Sequence, residues 1–189
     1  MDDDSFDREV RRRQLAKRLT AHQARTQTIC EMTHLTRHQL STLRRRWGVP
    51  QDTRIRGPAP TSFASFLSSA RARDTAAGLA ILYRLLGPEV GKGHSNRFSG
   101  TLAENERLCD VAEMARLCFP TADFEFEQIQ LLAKGLAQGD RIALDMCETC
   151  GAVILMDLLS VQVRQCSFCK RDNRLGVTKA FEPDGSDSD

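Results

Sequence analysis

The stretch CETCGAVILMDLLSVQVRQCSFCKRDNR, residues 147–174, places two CxxC pairs 15 residues apart, hangs an unusually apolar segment between them and follows them with basic residues. In this C-x2-C-x15-C-x2-C spacing, each CxxC turn directs two sulfurs at one ion. A hairpin between the turns brings them together, so that four thiolates close a tetrahedron about 2.3 Å from the metal. Gly151, just after the second thiolate, suits the tight turn in which backbone N–H groups approach the sulfurs. Val153–Met156 and Val161–Val163, β-branched or large apolar residues flanking Asp157, read as the strands of that short hairpin.

Four sulfurs leave no open coordination position, so Cys147, Cys150, Cys166 and Cys169 are expected to hold one structural Zn2+. Iron is the alternative, because sulfur tetrahedra suit both metals. A thioredoxin-like redox pair needs a βαβ context that the sequence does not offer. The apolar segment exceeds what an isolated knuckle can cover, so it is expected to pack on the rest of the chain or on a partner. Cys30, Cys109 and Cys118 fall on the apolar faces of expected helices and read as small buried hydrophobes. His22, His34, His38 and His94 show no ligand spacing.

Outward from the cysteines the pattern is helical. At 189 residues, the chain is long enough for one sizeable core with a small appended module. Residues 1–7 are an acidic N-terminal segment, suited to cap and charge-complement a first helix running to about Gln23. Residues 8–48 form a basic helical segment and residues 49–60 a Pro/Gly connector. Residues 61–146 form a helical body, with a helix ending at Pro120 and another stopping near Gly139. The metal module spans 147–175, and the acidic tail, 182–189, is expected to be disordered. The fold class is therefore mainly α: a helical body containing a helix-turn-helix-like unit, with a C-terminal four-cysteine zinc knuckle on a short β-hairpin.

That unit lies in RTQTICEMTHLTRHQLSTLRRRWG, residues 25–48. Ile29 and Met32 mark one short helix, Thr33-His34-Leu35 breaks the period, and Thr36 is a good N-cap for a second helix bearing Leu40, Leu43 and Trp47. Gly48 and Pro50 stop it. With its apolar residues turned inward, the second helix offers Arg37, His38, Ser41, Arg44 and Arg45 to a DNA groove. The plainer alternative is an αα-hairpin with solvated arginines.

Charge points the same way. From Arg8 to Arg56 there are 13 Lys or Arg against three acids; from Thr101 to Leu158 there are four against eleven; from Arg164 to Lys179 there are five against one. Basic blocks of this kind are the electrostatic footprint of nucleic-acid binding, although solvated helix faces also produce them. Arg11, Arg12, Arg13 and Lys17 are expected to meet phosphates, and Lys170, Arg171 and Arg174 to form a second contact patch beside the knuckle.

Taken together, QLAKRL, the TICEMTHLTRHQLSTLRRRWG unit, the proline-containing connector, the Phe-rich helical middle and the terminal C-x2-C-x15-C-x2-C resemble the flagellar transcriptional activator (FlhC) family of proteobacteria. The resemblance covers roughly residues 8–175. It implies a DNA-binding activator subunit that forms a hetero-oligomer with the smaller flagellar activator protein FlhD. Such a complex binds promoter DNA upstream of flagellar operons and recruits RNA polymerase. It also implies zinc on the four cysteines named above, and DNA contact that needs both proteins.

Two other classes compete. A zinc-stabilised protein-interaction scaffold without direct DNA binding would use the same basic faces on an acidic partner. An enzyme would need a convergent acid, base or nucleophile set, and none is found: Asp140 and Asp145 lie near the knuckle without a second catalytic partner, and the HxE and HExxH elements are absent. The chain is therefore expected not to be an enzyme. No apolar run reaches the roughly 20 residues a bilayer demands, and the charged N-terminus lacks a signal-peptide core, so a cytoplasmic location without membrane attachment is expected.

Overall fold

A computed structural model describes residues 3–50, 55, 57–88, 100–122, 124–160 and 164–174. Among these, eight helices and one two-stranded antiparallel sheet follow in the order α1 (Asp3–Ala21), α2 (Thr26–Thr33), α3 (Arg37–Arg46), α4 (Ala64–Leu67), α5 (Ala70–Leu86), α6 (Leu102–Cys118), α7 (Phe126–Gln138), β1 (Ile142–Met146), β2 (Val153–Asp157) and α8 (Ser167–Arg174). The chain is mainly helical, with a small hairpin and four clustered cysteines towards the C-terminus.

Most helix boundaries follow from local chemistry. Thr36 accepts from the backbone of Gln39 while Gln39 reaches back to the Thr36 N–H, a capping box that starts α3. Thr101 and Glu104 do the same for α6. Gly139, in the left-handed region at φ +66°, ends α7. The expected helical stretch after residue 61 divides at Ser69, whose extended backbone and side-chain cap restart the chain as α5. α1 begins at Asp3, within the acidic N-terminal stretch, and runs to Ala21.

The core is continuous through the helices. Leu15, Leu19, Ile29, Met32, Leu40, Phe66, Leu79, Leu108, Phe126 and Leu132 are almost completely buried. On α6 the buried face is well defined. Asn105, Leu108, Cys109, Val111, Ala112 and Ala115 face inward, whereas Met114 and Cys118 are exposed. Cys118, the last residue of α6, is thus not the buried hydrophobe expected.

The hairpin also differs from expectation. The strand Val153–Asp157 pairs backwards with Ile142–Met146, in register Leu144↔Leu155 and Met146↔Val153. The first CxxC pair is therefore the tip of the hairpin rather than its base. Residues 161–163, expected as the return strand, lie outside the described residues, as do the acidic tail and residues 89–99. Alternation assigns the two faces of β2 to different tasks. Leu155 joins the helical core with Ile142 and Leu144, while Ile154 and Met156 pack against the cysteines. That accounts for the central part of the apolar segment, which packs on the chain itself through α5. Leu158 and Leu159, in the turn that follows, remain exposed.

Candidate functional site

The four knuckle cysteines arrive from two places: Cys147 and Cys150 from the turn between β1 and β2, Cys166 and Cys169 from the start of α8. The turn closes through Gly151 N–H donating to Cys147 O at 2.9 Å, with Gly151 at φ +71°. Glu148 N–H donates to Arg164 O at 2.9 Å and holds the two halves together. All four sulfurs lie within 4.8 Å of one another, and none is in a disulfide. Cys147, Cys166 and Cys169 are buried, while Cys150 is exposed.

The surroundings fit a cation. The backbone N–H of Cys166 donates to Cys147 Sγ at 3.3 Å, and that of Cys169 to Cys166 Sγ at 3.4 Å, the contacts a thiolate needs. The amide of Cys166 first, with those of Cys150 and Thr149, holds the Cys147 thiol down at about 6, whereas neighbouring thiols, Cys150 first, push Cys169 up to about 12. Crowding allows one sulfur to ionise easily and opposes the next. A positive ion at the centre removes that opposition, because it stabilises every thiolate at once. The cluster is thus a candidate four-cysteine metal site, with four sulfurs close enough together to hold one ion. It is coupled to the body through α5, where Ser167 Oγ donates to Asp74 Oδ2.

The helix pair is positioned as firmly as the knuckle. α2 and α3 are joined by residues 34–36, with His34 in the left-handed region at φ 57°. The start of α2 is clamped by Glu127, whose oxygens accept from Arg25 N at 2.6 Å and Arg25 Nη1 at 2.8 Å; Glu125 accepts a further bond from Nη1 at 2.9 Å. Its end is clamped by Asn105, whose Nδ2 donates to Met32 O at 2.9 Å. Leu35 and Leu40 are buried, and Leu43 and Trp47 pack partly buried against the core.

Of the residues expected to face DNA, Arg37, His38, Ser41 and Arg45 are exposed on α3, and the neighbouring Arg46 joins them. Arg44 does not. It is 3% exposed, and its guanidinium turns inward to donate to Thr26 Oγ1 at 2.8 Å and towards Ala24 O at 3.4 Å. It therefore braces α3 against the start of α2, and a periodic reading that noted only its charge could not see this. Lys170 and Arg171 are exposed on α8; Arg174 closes that helix, and its side chain lies outside the described residues.

Two of the four expected phosphate contacts are already engaged within the chain. Arg11 donates to both oxygens of Glu106, at 3.0 Å and 2.5 Å, and Arg13 to Glu9 at 2.9 Å. Arg12 and Lys17 have no ion pair among the described residues.

A third cluster escaped the sequence reading. His22, Cys109 and Glu113 bring ligand atoms within 4.8 Å of one another where α1 meets α6. The only prior signal was the i, i+4 spacing of Cys109 and Glu113, and nothing in the sequence linked it to His22. Burial pushes the His22 imidazole down to about 4 and the Cys109 thiol up to about 12.

Among the described residues no helix is long and apolar enough to cross a membrane. Comparison of the chain with protein-family models and with curated protein sequences returns no significant match.

Proposed function

We propose that this chain is the DNA-contacting subunit of a bacterial transcriptional activator of the FlhC type, acting with a smaller partner protein at promoters of flagellar operons and recruiting RNA polymerase, with one structural Zn2+ on Cys147, Cys150, Cys166 and Cys169. The observation that supports this reading best is the exposed face of α3. Arg37, His38, Ser41, Arg45 and Arg46 project from a short helix that is capped at its start and clamped through α2 to α6 and α7. In this reading α3 enters the major groove, one of its arginines meets a guanine edge, and Lys170 and Arg171 meet phosphates.

The zinc holds residues that a hairpin of two five-residue strands cannot stabilise alone. Cys147→Ala or Cys166→Ala should accordingly lose the metal equivalent held by the four sulfurs, read by loss of the four-sulfur Co2+ absorption, and unfold the knuckle. A four-sulfur Co2+ absorption that survives in either variant contradicts the assignment.

The decisive experiment is co-expression with the partner protein, followed by metal analysis and titration of a labelled promoter fragment at several salt concentrations. Binding that weakens steeply with salt supports the reading. Absence of binding at low salt, with and without the partner, refutes it.

A second reading, a zinc-stabilised interaction scaffold, is favoured by one observation. Met146 and Val153, directly opposed across the hairpin, are exposed, as are Leu158, Leu159 and Phe168. An apolar set of this kind suits a protein surface better than a phosphate backbone. Capture of the partner protein by a chain that never binds DNA is the result that would select it.

A further inference from the structure

The seam between α1 and α6 contains three donors of different chemistry at one point: an imidazole from the turn after α1, and a thiol and a carboxylate from successive turns of α6. Cys109 and Glu113 are four residues apart and so share a helical face. His22 enters opposite them because α1 packs along α6. The ligand atoms of all three lie within 4.8 Å of one another, close enough for one ion to reach each. We infer that His22, Cys109 and Glu113 form a second metal site, a three-ligand Zn2+ site distinct from the four-cysteine knuckle.

The donor set decides the metal. One nitrogen, one sulfur and one oxygen suit borderline Zn2+, whereas Mg2+ and Ca2+ take oxygen alone. Three protein ligands leave a fourth position for water, so this site is open where the knuckle is closed.

The surroundings fix the ligands in place. His22 is 6% exposed, and its ring lies against Phe126 with centroids 6.2 Å apart. Glu113 Oε1 accepts from Arg18 Nε at 2.7 Å and lies 3.8 Å from His22 Nε2, so the carboxylate is held facing the imidazole. The other arm of Arg18 is paired with Asp110, so its charge is already answered. Zn2+ against one thiolate and one carboxylate is neutral overall. On binding, a Zn–S bond forms and the Cys109 S–H proton passes to solvent. Glu113 is half exposed and marks the route by which the ion enters.

The plain alternative, a buried imidazole packed on a phenyl ring, binds nothing, and metal stoichiometry separates the two. The full chain is titrated with Co2+ and, in parallel, with Zn2+ followed by elemental analysis. Two equivalents are expected. The first should carry the intense thiolate-to-Co2+ absorption of four sulfurs and the second a weaker band from one. His22→Gln and Glu113→Gln should each lose the second equivalent and keep the first, whose retained spectrum also reports that the chain remains folded. A wild-type chain that binds one equivalent only, or a second equivalent that survives both substitutions, overturns the inference.

Discussion

Two arginine-rich helices lie within the first 46 residues, and the structure puts their charges to different uses. On α1, Arg11 meets Glu106, Arg18 meets Asp110 and Glu113, and Arg13 meets Glu9 on its own helix. On α3, Arg37, Arg45 and Arg46 are exposed and have no ion pair among the described residues. The acidic middle of the chain is therefore no neutral spacer between two basic surfaces, because its acids on α6 are the counter-charges of α1. Both helices are arginine-rich, and what separates their charges is chiefly the neighbour. α1 lies along an acidic helix, and the outer face of α3 meets no other element among the described residues. A basic block marks a nucleic-acid surface only after the charges answered within the fold are removed from it.

Packing still dominates the α1 seam. Leu15 and Leu19 are completely buried, and each contributes roughly 2 kcal/mol on burial, against about 1 kcal/mol at most for a surface ion pair. The apolar residues hold α1 down, and the ion pairs select which face and register it adopts.

The contrast breaks at one residue, and that is where the largest effect is expected. Arg44 belongs to the arginine run of α3 but is buried against α2. Arg44→Ala opens a cavity and strips two hydrogen-bond acceptors of a donor, which should cost roughly 2 to 3 kcal/mol and lower Tm by about 5–10 °C. Arg45→Ala, one residue on and exposed, should change stability by less than about 0.5 kcal/mol. Thermal melts of the two variants side by side check this, and equal melting points would mean that α3 is turned about its axis, with Arg44 facing solvent.

A smaller effect is expected on α1. Arg18 answers two carboxylates at once from a partly buried position, so Arg18→Ala should lose about 1 kcal/mol. Because all three charges remain partly exposed, the loss should shrink as salt rises. A salt series of chemical denaturation curves tests it; a difference that does not change with ionic strength would assign the effect to lost packing of the Arg18 stem instead.

What the sequence made legible were features written into local order. Four cysteines at fixed spacing, the Thr36 and Thr101 caps, Gly139 and the period of α2 and α3 each involve residues within a few positions of one another. Contacts made across the fold were not legible. The inward turn of Arg44 depends on Thr26 and Ala24, the pairing of Arg11 on a helix 95 residues away, and the His22 cluster on how α1 meets α6. The strand Ile142–Met146 was missed for another reason. At five residues with only Ile142 fully buried, its alternation is too short to stand out until the CxxC turn is seen as a hairpin tip.

The finest test concerns cations that are present but occupied. If pairing with α6 withholds α1 from DNA, freeing one of its arginines should add a phosphate contact. Glu106→Gln removes the charge facing Arg11 while preserving the size of the side chain. In the complex proposed above, the slope of log affinity for DNA against log salt should then steepen by about 0.9, the contribution of one further phosphate, and Arg45→Ala should make it shallower by a similar amount. Each change lies close to the resolution of a binding titration, so the two variants are read as a pair displaced in opposite directions from wild type. A Glu106→Gln slope equal to wild type, with Arg45→Ala shifted as expected, would place Arg11 out of reach of the duplex whatever its pairing. In that case the distinction between α1 and α3 is one of position on the surface rather than of charge already answered.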